Sequence, residues 1–180
     1  VPEFAPIHAE LLEIFNSRER IPSPSLQGAW LYNFWQDAEH VRGVWRRASV
    51  DSYRKGAPAW ETLIDFDQLA KAEGENWISS EFVCLAPEYR HCMIELSRGG
   101  GDASTWREFD TTTKTFVKGG FALPEAKSNL SWVDADTLLV GTDWGAGSLT
   151  DSGYPRLLKA WRRGTPLADA RPLFEGRKED

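Results

Sequence analysis

One stretch, Trp77 to Phe121, limits the folds open to this chain more than any other part of it. It reads as four short β-segments joined by three turns. Phe82, Cys84 and Ala86 alternate with other residues, which is the two-residue period of a strand. A second segment runs from Cys92 to Ser97, and Arg98-Gly99-Gly100-Gly101-Asp102 then breaks the pattern, because glycine takes up turn conformations that other residues resist. Trp106 to Asp110 forms a third strand, Thr111 to Lys114 a polar turn, and Thr115-Phe116-Val117 a fourth strand. The third strand carries Trp106-Arg107, and the same pair returns as Trp45-Arg46 and Trp161-Arg162. A four-stranded unit recurring at intervals of roughly 55–60 residues points to propeller blades rather than to a solenoid of shorter repeats. The expected fold is mainly β: a partial β-propeller of about three four-stranded antiparallel blades, with a short N-terminal helix. The competing reading is a β-sandwich in which the Trp-Arg recurrence is accidental.

The blades are expected at about 30–67, 77–121 and 128–176, within a propeller portion covering 28–180. In the first, Leu31 to Trp35, Val41 to Val50 and Trp60 to Phe66 are strands, and Asp67 to Glu73 makes one or two helical turns before Gly74. Leu123 to Ser128 reads as a connector to the third unit. That unit has strands at Leu130–Val133, Thr137–Gly141, Arg156–Arg163 and Arg171–Phe174. The loop from Asp143 to Gly153 is long for a hairpin connection. Residues 1–27 differ: Ile7, Leu11, Leu12, Ile14 and Phe15 share one face of a helix over Pro6–Phe15, ended by Asn16 to Arg20. Ile21-Pro22-Ser23-Pro24-Ser25 then forms a connector, since proline cannot continue a helix. The apolar face of that helix either caps the nearest sheet or packs on another domain.

The bulk chemistry narrows the partners. The 180 residues suffice for a real core. A chain that starts at Val1 without an initiator Met is expected to be a processed or truncated piece. A net charge of −6 and a pI near 5.2 argue against nucleic acid or an anionic membrane as main partner, both of which are bound by excess Lys and Arg. No apolar run approaches the ~20 residues that a membrane helix needs. Nine Trp and nine Phe suit the faces of packed sheets. The two cysteines, Cys84 and Cys92, lie symmetrically about Glu88 and are expected opposite one another, reduced, as two small buried apolar groups.

No catalytic constellation stands out, and no catalytic, cofactor-binding or metal-binding residue is assigned. Gly145-Ala146-Gly147-Ser148 has the wrong spacing for a nucleophile elbow. His8, His40 and His91 lie in a helix, a turn and a hairpin, with no ligand-type partner at metal-site spacing. Asp65 and Asp67 flank Phe66 at period two and are read as the solvated face of an edge strand rather than as an acid pair. Asp134 and Asp136 are turn residues. Neither glycine-rich loop opens a helix, as a phosphate cradle would. Asn129-Leu130-Ser131 fits the short glycosylation pattern. The Trp-Arg pairs suit cation–π stacking and, recurring once per blade, read as structural.

Several strings carry a resemblance. Asn16-Ser17-Arg18-Glu19-Arg20-Ile21-Pro22, Tyr32-Asn33-Phe34-Trp35-Gln36-Asp37 and Val41-Arg42-Gly43-Val44-Trp45-Arg46-Arg47 occur in that order. Leu96-Ser97-Arg98-Gly99-Gly100, Leu123-Pro124-Glu125-Ala126-Lys127-Ser128, Gly147 to Arg156 (GSLTDSGYPR) and Arg163-Gly164-Thr165-Pro166-Leu167 follow. Together they resemble the N-terminal propeller region of bacterial prolyl oligopeptidase-like serine peptidases. The resemblance implies a seven-bladed parent propeller covering an α/β-hydrolase domain with a Ser-Asp-His triad, reached by short peptides. It further implies that this chain is about the first three blades, that it gates proline-containing peptides, that no triad residue falls on it, and that no cofactor is needed. The catalytic domain of the same protein is then its partner, and self-association through open blade faces is expected. The location expected is cytoplasmic, with periplasmic or secreted forms left open. A second reading is a non-catalytic propeller module that holds a protein or peptide, and a third is a lectin-like propeller using exposed tryptophans.

Overall fold

A computed structural model describes residues 2–15, 17 and 21–179. Asn16 and Arg18 to Arg20, expected to end the first helix, lie outside the described residues. The chain divides into two compact units, one up to Leu69 and one from Ala70.

In the first unit, helix α1 covers Phe4–Phe15 and buries none of its residues. Its apolar side is open: Phe4, Ile7, Leu11, Leu12, Ile14 and Phe15 are all exposed. An antiparallel sheet follows, in the order β1 (Ser25–Gln27), β2 (Trp30–Trp35), β3 (Val44–Ser49), β4 (Glu61–Asp65). The sheet therefore begins at Ser25, ahead of the boundary expected at 28, because Ser25 to Gln27 pairs with Tyr32 to Trp30 across a tight turn. A short helix α2 (Val50–Arg54) is capped by the Ser49 hydroxyl, which accepts from the Ser52 N–H. Helix α3 (Phe66–Glu73), which begins in this unit and whose residues from Ala70 belong to the second, takes Phe66 out of the strand expected to contain it.

The second unit holds two sheets. In the first of them β7 (His91–Arg98) and β8 (Ser104–Asp110) are the central pair. Both β5 (Trp77–Ile78) and β6 (Phe82–Cys84) pair with β7, while β9 (Thr115–Phe116) and β10 (Ala122–Ala126) both pair with β8. The sheet thus has four positions, two of them filled by interrupted strands. The fourth position corrects the sequence reading: Thr115-Phe116 is only a short rung, and Leu123 to Ala126, expected to be a connector, supplies the rest. Gly99 and Gly100, at φ of 69° and 83°, make the expected β7–β8 turn. The other sheet is a meander of β11 (Asn129–Asp134), β12 (Thr137–Gly141), β13 (Leu157–Arg162) and β14 (Arg171–Glu175). The fold is mainly β, made of antiparallel sheets of four positions each.

Register decides which residues form the core. Leu138 lies opposite Trp161, and Val140 shares the face of Leu138. That face packs on Met93, Trp106 and Leu123 of the neighbouring sheet and on Phe121 just before β10, all nearly inaccessible. Trp132 adds an indole N–H bonded to the Val83 carbonyl at 2.8 Å, and Phe121 meets Trp161 edge-on at 4.9 Å. The opposite face of the third sheet stays open, and β14 is exposed along its whole length.

The two cysteines correct another expectation. Cys84 and Cys92 are directly opposed in the register, as expected, but they are joined by a disulfide with an S–S distance of 2.02 Å. Facing side chains on adjacent strands stand close enough to bond.

Candidate functional site

The most concentrated polar chemistry in the second unit surrounds Glu108. Along β8, Trp106 and Glu108 are two residues apart and share the face turned toward the third sheet, so a carboxylate enters an apolar layer with its side chain 0% exposed. Such a group must be paired or neutral. Arg163, just past β13, donates from both terminal nitrogens at 2.7 and 3.0 Å. The Phe121 N–H donates at 2.8 Å, and His91 Nδ1 lies 2.9 Å away. The guanidinium of Arg163 also donates to the Ala135 carbonyl and lies over the Phe121 ring at 4.5 Å. Burial pushes the Glu108 carboxyl up, but the bonds from Arg163 and Phe121 and the charges of Arg163 and His91 outweigh it and hold it below the usual carboxylate range. Gly120 leaves the room: a Cβ there would stand 2.7 Å from Glu108 Oε2 and 2.8 Å from Val117 Cβ. Asp110 behaves alike: burial raises it, yet the Arg90 side chain and the N–H groups of Thr112 and Thr113 bring it down to about 2. The Glu108 cluster is a latch between two sheets. Sequence reasoning passed over it, although a Glu two residues after a core Trp was a readable signal.

The residues singled out from the sequence settle into structural tasks. His91 serves Glu108, His40 pairs with Asp37 at 2.9 Å, and His8 stacks on Phe4 at 5.6 Å. None of these partners is a serine hydroxyl, and no His/Cys/Asp/Glu group among the described residues is placed to hold a metal. Ser148, in the long loop, is buried and bonded to Asp143, to the Gly145 carbonyl and to the Trp144 N–H, which pins the loop. Asp65 and Asp67 do not share a strand face, since α3 begins between them. Asp65 accepts from the Gln68 N–H at 3.0 Å as a helix cap, and Asp67 accepts from Arg42. Asp136 takes the turn position expected, its N–H bonded to Asp134. Asn129 opens β11 and pairs with Gly141.

The Trp-Arg pairs fall on the third strand of every sheet, in the first because β1 adds a strand ahead of β2, and all three tryptophans are buried. They do not stack on their own arginines, because neighbours in a strand point to opposite faces. Arg107 instead lies over Phe116 at 3.8 Å and holds Glu73. Arg46 lies 4.5 Å from the ring centres of both Trp35 and Trp60.

Open concavities occur on the outer side of the third sheet. A cleft of about 680 Å³ is lined by Asp134, Asp136, Thr137, Ala160, Arg162 and Arg171. It has both charge signs at one end and joins a face carrying Leu158 and Phe174, which are opposed in the β13–β14 register.

Residues 2–180 match the family model of the prolyl oligopeptidase N-terminal β-propeller domain. The chain belongs to the prolyl oligopeptidase family. An uncharacterized peptidase of Sinorhizobium fredii is 44% identical over 180 residues, covering 99% of this chain and 25% of that relative. One from Rickettsia prowazekii is 35% identical, covering 98% of this chain and 26% of its own length. A solved post-proline cleaving enzyme of Rickettsia typhi superposes with a TM-score of 0.87 at 34% identity, over 98% of this chain and 27% of that one. Oligopeptidase B of Leishmania major, at 16% identity and a TM-score of 0.72, shares the fold over 96% of this chain and 23% of that one. The chain thus spans about a quarter of the length of the curated relatives it matches. The sheets described above are those of the family's N-terminal propeller domain.

Proposed function

We propose that this chain is the part of a prolyl oligopeptidase-like serine peptidase that controls access of short, proline-containing peptides to the active site, and that it supplies no catalytic group. The observation that carries the reading is agreement with a post-proline cleaving enzyme along nearly the whole chain, in sequence and in fold. The local chemistry fits it. A serine nucleophile needs a base within hydrogen-bond reach. Among the described residues the histidine partners are carboxylates and a ring, and Ser148, in the loop of Gly145 and Gly147, is held by the Asp143 carboxylate and by backbone bonds.

In this reading the catalytic α/β-hydrolase domain belongs to the same protein, and the exposed apolar side of α1 packs against it. Incubation of the purified chain with a fluorogenic peptide bearing proline before the leaving group tests the proposal. No turnover above background is expected. Turnover removed by a serine-directed inhibitor would overturn it.

A further inference from the structure

We infer that Arg46 is a built receptor for a single carboxylate. The inference is independent of the gating reading and rests on the first sheet alone. Arg46 sits on the central strand β3, opposite Asn33 on one side and Thr62 on the other. Its Nε donates to the Asn33 side-chain oxygen at 3.0 Å, and Asn33 is itself buried. Trp35 comes from the strand on one flank and Trp60 from the residue before the strand on the other. The guanidinium carbon lies 4.5 Å from each ring centre. The hydrogen bond and the two rings fix the plane of the guanidinium.

The walls are fixed in turn. The Trp35 indole N–H donates to Asp37 at 2.8 Å, and Trp60 packs edge-on against Tyr53 at 6.1 Å. Asp37, the carboxylate whose charge Arg46 feels, is already committed. It accepts the Trp35 indole, the N–H groups of Glu39 and His40, and the His40 ring. These bonds outweigh the effect of burial and hold its carboxyl far below the usual range. It has no need of Arg46.

What remains is the far edge of the guanidinium. The two terminal nitrogens of Arg46 have no hydrogen-bond acceptor among the described residues, and neither is sealed from solvent. Its neighbours differ: Arg42 holds Asp67 and Arg47 holds Glu61. A half-buried cation whose terminal nitrogens bond to no carboxylate among the described residues is unusual in a chain of net charge −6. The free edge presents two parallel N–H donors, the fork that takes both oxygens of a carboxylate. One cation beside a committed Asp37 suits a monoanion rather than a phosphate dianion. Stacking leaves little side-chain freedom to lose on binding.

The same chemistry is offered by the C-terminus of a peptide and by an Asp or Glu side chain, and three probes separate them. These are N-acetyl-Ala-Ala with a free carboxylate, its C-terminal amide, and N-acetyl-Ala-Glu-Ala amide. Each is titrated into the 180-residue chain, followed by tryptophan fluorescence and by the side-chain ¹H–¹⁵N signals of Arg46. The free acid should bind saturably and shift the Arg46 signals, and the uncharged amide should bind at least tenfold more weakly. Binding of the Glu peptide assigns the site to side-chain carboxylates as well; its failure assigns it to chain termini. Arg46→Gln should weaken the acid at least tenfold, and Arg46→Lys, which keeps the charge but not the fork, should weaken it several-fold. The Arg46 signals of the unsubstituted chain keep the test valid if a variant misfolds. Equal binding of acid and amide, no binding of either carboxylate, or full binding by Arg46→Gln overturns the inference.

Discussion

Replacing Glu108 by Gln probes the latch with the least change in shape. Glu108 accepts from both terminal nitrogens of Arg163, from the Phe121 N–H and from His91, with its carboxylate fully buried. Gln keeps one acceptor oxygen and turns an NH₂ toward donors, so at least one charge-assisted bond becomes a donor–donor contact. Hydrogen bonds to charged groups contribute about 1.5–3 kcal/mol, and breaking one side of a buried ion pair costs about 3–5 kcal/mol. We expect Glu108→Gln to destabilise the chain by about 3 kcal/mol at pH 7, a large share of the ~5–15 kcal/mol typical of a domain. Urea unfolding followed by tryptophan fluorescence measures it. A double-mutant cycle with Arg163→Met should return a coupling of at least about 1.5 kcal/mol.

The pH dependence has a definite sign. The folded pKa values of Glu108 and Asp110 are depressed, so their stabilisation is present above the ordinary carboxyl range near ~4. It is lost as pH falls through the folded values, about 2 for Asp110. The gap between the wild-type chain and Glu108→Gln should therefore close in acid. A variant within about 0.5 kcal/mol of wild type at pH 7, or a coupling of zero, would refute the argument.

Two further expectations concern the helix cap and the open face. Asp65→Ala removes the acceptor of the Gln68 N–H and should cost about 1 kcal/mol in the same unfolding assay; no change would mean that α3 is capped otherwise. The chain alone should self-associate with rising concentration, because Phe174, Leu173 and Val133 on the third sheet and the apolar side of α1 are exposed. Light scattering should show a smaller average mass for Phe174→Ser, and a monodisperse monomer across a wide concentration range would rule the idea out.

Much of the fold was legible because its signals are local. Alternation at Phe82 and Cys84, the glycine turn at Gly99-Gly100 and the recurring Trp-Arg pair each depend on a few adjacent residues. The misreadings needed partners distant in sequence. Leu123 to Ala126 contains Pro124 and Glu125 and looks like a connector; only the pairing of Leu123 with Trp106 and of Ala126 with Ser104 makes it a strand. Asp65 and Asp67 satisfy a strand period until Phe66 opens a helix between them. The register of Cys84 and Cys92 could be read from their symmetry about Glu88, but their covalent state could not. Glu108 and Arg163 are 55 residues apart, and no local pattern links them.

The indole of Trp132 and the guanidinium of Arg163 reach across from the third sheet to main-chain and carboxylate oxygens of its neighbour. The second sheet therefore holds acceptors whose donors lie in the third. Opening the third sheet alone would strand a buried carboxylate and a carbonyl in the second, and water would enter between Leu138 and Met93. Loss of either sheet withdraws the support of the other, so the two are expected to open together, with the exposed strand β14 fraying first.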